Sequence, residues 1–154
     1  MLVKDTARRQ YASITDQAVS AGAGLILPRE GWVRTVRKAL GMSGAQLARR
    51  MGVTRARIAQ AEASELEGGI TLKSMRLAAE AMGCRFVYAI VPDASVAALI
   101  DEQANAKAAA LVGRASTHMA LESQAVSEAQ SAANVARLAR ELAAEMPSDL
   151  WNDE

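Results

Sequence analysis

The run SGAQLARRMGVTRARIAQAE, from Ser43 to Glu62, constrains the fold more than any other stretch of this chain. Its apolar residues fall at helical spacing in two short sets, Leu47, Ala48 and Met51, then Ile58 and Ala61, with Gly52 between them. That pattern predicts two amphipathic helices joined by a tight turn, where glycine accepts the positive φ that other residues resist. Ser43 and Thr54 carry hydroxyls suited to capping the two helices, and Val53 is expected to fill the space under the turn. Small Ala48 lets the helices cross closely. What remains on the outside of the second helix is Arg55, Ala56, Arg57 and Gln60. Arginine pairs with guanine, glutamine with adenine, and alanine permits close approach to a thymine methyl. The stretch therefore points to a helix pressed into a DNA major groove, with Arg55, Ala56 and Gln60 on bases. Ser43, Gln46, Arg49, Thr54 and Arg57 are expected on phosphates, where they set register.

The flanks extend the pattern. Trp32 to Leu40 reads as a preceding helix with Trp32 or Val33, Val36 and Leu40 inward and Arg34, Arg37 and Lys38 outward, these three and Lys73 adding diffuse attraction for phosphate. Trp32, at the start of that helix, is expected in a core or interface. A further helix over Leu72 to Met82 is opened by Thr71 and closed by Gly83, with Leu72, Met75, Ala79 and Met82 as its core stripe. Asp5 to Ser20 reads as a modest N-terminal helix on Ala7, Tyr11, Ile14, Ala18 and Val19, broken by the Ala-Gly repeat before Pro28.

After Gly83 the period changes. Cys84 to Val91, CRFVYAIV, is rich in β-branched and aromatic residues and reads as one strand. A lone strand leaves its amides and carbonyls without partners. The same strand from a second copy, paired across a twofold axis through Phe86, Val87, Tyr88, Ala89 and Ile90, is the simplest remedy. The alternative is pairing with Gly24 to Leu27 of the same chain. Beyond Asp93 the sequence is alanine-rich and helical. One helix carries Val96, Leu99, Ile100, Leu111 and Val112, and a break is expected at Gly113 or Ser116-Thr117. A second helix from about His118 to Met146 carries Leu121, Val126, Val135, Leu138 and Leu142. Pro147 ends it before an acidic tail with an exposed-looking Leu150-Trp151 pair.

Charge divides the chain more sharply than the net +1 suggests. Arg29 to Arg85 holds 11 basic and 5 acidic residues, whereas Asp93 to Glu154 holds 4 basic and 10 acidic. A basic middle suits an anionic polymer, and an acidic end would be repelled by one. The single Cys84 cannot form an internal disulfide, which points to the cytoplasm, and it is expected as inert core filler. No apolar run approaches a signal sequence or a membrane span. Enzyme signatures are poor. His118 is the only histidine and has no second ligand at metal spacing, only Glu122 one turn away, so no metal, cofactor or catalytic residue is expected.

The Ser43–Glu62 stretch resembles the DNA-binding domain of xenobiotic-response-element-type, Cro/C1-like repressors. The longer run GWVRTVRKALGMSGAQLARRMGVTRARIAQAE, ITLKSMRLAAEAMGCRFVYAIVP and the HMALESQAV segment at His118 to Val126 are similar to a smaller family, the mobile mystery protein A regulators. That resemblance covers most of the chain. It implies a mainly α fold: residues 1–28 as an N-terminal helix and arm, 29–92 as a Cro/C1-type helix-turn-helix domain with one dimerising β-strand, and 93–154 as a helical acidic extension. It also implies a neighbouring Fic-domain protein in a toxin–antitoxin-like pair. The glutamate motif of many Fic inhibitors has no match here; Ala63 with Glu67-Gly68 comes nearest and lacks the hydroxyl. The expected function is thus a homodimeric, sequence-specific regulator on a palindromic double-stranded operator. The alternative is an interaction module that neutralises a toxin through the C-terminal helices.

Overall fold

The computed structural model describes residues 3–122 and 126–152, and the described residues are mainly helical. Seven helices follow in order among them: α1 Val3–Gly22, α2 Trp32–Ala39, α3 Gly44–Met51, α4 Arg55–Glu67, α5 Leu72–Ala81, α6 Val96–Leu121 and α7 Glu128–Glu145. They belong to two compact units, one of residues 24–89 and one of residues 1–23 with 90–154.

The 24–89 unit contains α2 to α5 around a core of Val33, Leu47, Ala48, Ile58, Met75, Ala78 and Met82. Val36, Met42, Met51, Ile70 and Phe86 pack against that core from its margin. Burying each large aliphatic side chain here contributes about 1.5–3 kcal/mol. The core stripe expected on α5 holds at Met75 and Met82, while Leu72 stays exposed. Val53 is also more open than a residue filling the turn. Each helix from α3 onward in this unit starts on a hydroxyl cap. Ser43 accepts from the Gln46 amide at 3.1 Å, Thr54 from Arg57 at 3.2 Å and Thr71 from Ser74 at 3.0 Å. Gln46 returns the favour through its carbonyl oxygen, which accepts from the Ser43 amide at 2.7 Å and completes a capping box. Gly52, at φ 68°, closes α3 in the left-handed conformation and lets the chain turn into α4.

α2 lacks a cap of its own, because Gly31 has no side chain to offer. Glu65 of α4 does the work from a distance, accepting from the Trp32 amide at 2.5 Å and the Val33 amide at 3.1 Å. A Cβ at position 31 would lie 2.9 Å from that carboxylate, and the local φ is +81°.

The second unit contains α1, α6 and α7. Its buried apolar side chains are Ala104, Ala108, Ala139 and Leu150. α6 begins on a double cap: Ser95 accepts from the Ala98 amide at 3.1 Å, and Asp16 of α1 accepts from the Val96 amide at 2.8 Å. The break expected at Gly113 or Ser116-Thr117 is absent, and α6 runs through both. One glycine costs a helix only about 1 kcal/mol. Thr117 returns its hydroxyl proton to the Gly113 carbonyl at 3.0 Å, inside the helix. Consequently the second C-terminal helix begins not at His118 but at Glu128, capped by Ser127. Part of the HMALESQAV segment, residues 123–125, lies outside the described residues, as do 153–154 of the tail.

The expected strand is not seen, and the burial expected of Cys84 and of Leu150 is corrected. Among the described residues no strand is present, and Cys84–Val91 carries no regular structure. A strand needs a paired neighbour, and neither Gly24 to Leu27 nor any other described segment supplies one. Cys84, expected in the core, is exposed. Leu150 is the opposite case: it is fully buried, and only Trp151 of the pair faces outward. Met146 takes φ 45° and turns the chain back after α7. Gln103 then donates to the Leu150 carbonyl at 2.9 Å, and Lys107 reaches the Asp149 carboxylate at 2.9 Å. The Lys107 hydrogen bond holds the Asp149 carboxyl below its ordinary range.

Two outcomes follow for stability. Gly31→Ala should lower the denaturation midpoint by an amount equivalent to about 1–3 kcal/mol, because φ 81° with ψ 162° is a backbone region that essentially only glycine occupies, with carboxylate crowding added. The Asp149 contact, whose carboxyl pKa is lowered by folding, contributes at neutral pH and is lost as pH falls through that lowered value. Trp151 fluorescence should therefore stay constant to below the ordinary carboxylate range, and Lys107→Met should change it already at pH 7.

Candidate nucleic-acid interface

α4 is amphipathic in charge as well as in polarity. Ile58 and Glu62 point inward and are buried, while Arg55, Ala56, Arg57, Ala59 and Gln60 are all exposed. Arg55 lies close to α3, its stem 4.0 Å from where a Gly44 Cβ would stand. Among the described residues Arg55, Arg57 and Arg49 enter no ion pair, which leaves their guanidinium groups available for an anion.

The caps leave the right protons free. Ser43 and Thr54 accept through their oxygens, so each O–H remains a donor. Gln46 spends its carbonyl oxygen on the capping box and keeps its NH₂ group. The five residues expected on phosphates thus present donors, the polarity a phosphate needs. Ser43, Gln46 and Arg49 belong to the start and length of α3, and Thr54, Arg55, Ala56, Arg57 and Gln60 to the start of α4. The tight turn at Gly52 holds the two helices together.

A shallow groove of 180 Å³ adds to this face. It is lined by Arg57, Gln60 and Ser64 of α4 and by Gly69, Thr71 and Ser74 of the α4–α5 turn and the first turn of α5. Thr71 was read from sequence only as a helix cap, and Ser74 was given no role. Their placement beside Arg57 depends on how α5 docks, which no local motif encodes.

The residues expected to add diffuse attraction divide differently. Arg37 is buried in an ion pair with Glu62: Nε lies 2.7 Å and Nη2 3.1 Å from the two carboxylate oxygens, and Nη1 donates to the Met42 carbonyl at 3.0 Å. The two side chains are only 14% and 11% exposed. Arg37 is therefore a strut and not a surface charge. Lys38 and Arg34 both lie against Glu30, at 2.9 and 3.6 Å, and the Lys38 hydrogen bond holds the Glu30 carboxyl below its usual range. Of the four, only Lys73 is exposed and free of an ion pair among the described residues. Arg50 stays exposed, its Nε donating to the Ala81 carbonyl at 2.5 Å and tying α3 to the end of α5.

With this geometry in place, the comparison with known families is specific. Residues 33–88 match the helix-turn-helix family model HTH_3. The matched stretch falls within the 24–89 unit and includes all of α3, the Gly52 turn and α4. It makes this unit a helix-turn-helix domain and supports a DNA-binding regulator. No curated protein and no solved structure matches the chain. No helix among the described residues is long and apolar enough to cross a membrane.

The reassignment of Arg37 has a measurable consequence. Removing one member of a buried, hydrogen-bonded ion pair costs about 3–5 kcal/mol, so Arg37→Ala should destabilise the domain strongly in urea. Where the variant is still folded, the slope of log affinity for DNA against log salt should match wild type. A slope reduced by about 1 would instead mean that Arg37 touches a phosphate.

Proposed function

We propose that this chain is a sequence-specific DNA-binding transcriptional regulator, a repressor that binds a roughly palindromic operator as a homodimer in the cytoplasm. The observation that carries this reading is the exposed edge of α4, where Arg55, Ala56, Arg57 and Gln60 stand clear of any acidic partner. α4 enters the major groove of each half-site. Arg55, Ala56 and Gln60 read base edges, and Ser43, Gln46, Arg49, Thr54 and Arg57 hold phosphates. Two such helices related by a twofold axis meet successive grooves, about 10 base pairs apart. The dimer forms through Phe86, Val87, Tyr88, Ala89 and Ile90, whose backbone gains in a second copy the strand it lacks alone. The exposure of Ile90, at 91%, supports this. No catalytic step, metal or cofactor enters the proposal.

The wider resemblance to mobile mystery protein A regulators supports a further role as the antitoxin-like autoregulator of a Fic-domain toxin. A second reading, an interaction module that neutralises such a toxin through α6 and α7, is favoured by one observation. Leu121 and Trp151 are exposed on an acidic unit that offers little to DNA.

Binding measured across salt on operator and scrambled duplexes tests the reading. Arg55→Ala should cost about 1–3 kcal/mol on the operator alone and relax the preference at one base pair. Arg57→Ala should weaken both duplexes alike and flatten the salt dependence. Equal losses on both duplexes for Arg55→Ala would reject its base-reading role. Truncation after Pro92 separates the two readings, since retained operator binding with lost partner binding assigns the partner to the C-terminal helices.

A further inference from the structure

The chain reversal after α7 encloses a hollow in the helical unit. Met146 makes the turn, and it is the one non-glycine residue at positive φ among those described. The segment that follows is pinned back on α6 in three ways. Gln103 holds the Leu150 carbonyl, Lys107 holds the Asp149 carboxylate, and the Leu150 side chain is fully buried. Between this hook, α6 and the end of α7 lies a groove of 380 Å³. Small-ligand sites run from about 300 to 1,000 Å³, so it has room for a small molecule. Ala110, Leu111, Leu142 and Pro147 give it an apolar lining.

Its charges do not all pair within the chain. Lys107 is spent on Asp149 at 2.9 Å. Arg114 and Glu145 line the same groove, yet among the described residues neither enters an ion pair. A cation and an anion therefore border one apolar-lined hollow without meeting. We propose that this groove binds a free α-amino acid with an aliphatic side chain. The ligand carboxylate lies on the Arg114 guanidinium, whose planar fork suits it, the ammonium on Glu145, and the side chain against Leu111 and Leu142. The charge balance selects a zwitterion: a simple anion would lie against Glu145, and a simple cation against Arg114. The hook is tied down before any ligand arrives, so binding costs little ordering of the chain. The site belongs to the helical unit and does not rest on the DNA reading.

Equilibrium dialysis of the full chain against labelled L-leucine tests the site, with two truncated probes beside it. Isocaproate lacks the ammonium and isoamylamine lacks the carboxylate. Leucine should bind saturably, and each truncated probe at least about tenfold more weakly, the effect of losing about 1.4 kcal/mol. Arg114→Gln should weaken leucine by a similar factor without weakening isoamylamine, and Glu145→Gln should weaken leucine without weakening isocaproate. Both side chains are exposed and glutamine is a good helix former, so helix content by circular dichroism and the urea midpoint should match wild type. No saturable binding of L-leucine, L-isoleucine or L-valine overturns the proposal. So does isocaproate or isoamylamine binding as tightly as leucine, or leucine binding unchanged in both variants.

Discussion

The inner edge of α4 is fastened at three points on successive turns: Ile58 in the core, Glu62 on Arg37, and Glu65 on the first amides of α2. Spacings of four and three residues keep all three on one side of the helix. With that side fixed, Ala56, Arg57 and Gln60 face outward, and Arg55, in the first turn of α4, lies exposed beside α3. The buried Arg37–Glu62 pair is weak grounds for stability in itself, since hydrophobic residues could fill the same space. Its value here is orientation. A guanidinium that also holds the Met42 carbonyl fixes the α2–α3 connection to α4 in one register.

The same fastening sorts the charges of the domain. Glu62 and Glu65 are drawn inward, and Glu30 is occupied by Lys38 and Arg34 on α2. That leaves Arg49, Arg55 and Arg57, on α3 and the first turn of α4, in no ion pair among the described residues. Electrostatic attraction to a duplex is strongest where unpaired cations stand together, and the local arrangement decides that more than net charge does.

Much of this was legible in the sequence, for reasons that are themselves local. A hydroxyl cap, a helical apolar period and a glycine at a left-handed turn act within a few residues, so Ser43, Gly52, Thr54 and Thr71 announced their helices. Arg37 was misjudged because a partner 25 residues away decides whether an arginine is a strut or a free charge. Gly113 was misjudged in the other direction: a glycine weakens a helix but does not end one whose neighbours are strong helix formers such as alanine. Cys84 to Val91 reads as a strand from composition, yet a strand is a property of a pair. Among the described residues nothing pairs with it, so apart from Phe86, which packs on the core, these residues lie open. Leu150 was hidden by its position near the end of the sequence, where only the reversal at Met146 returns it to α6.

The most direct test of the account is to incubate the full-length protein with a pool of randomised duplexes, recover those retained, and sequence them. The account predicts enrichment of a twofold-symmetric motif with half-site centres about 10 base pairs apart, reading through two copies of α4. Recovery of duplexes without any shared motif, or no retention even in dilute salt, would contradict it.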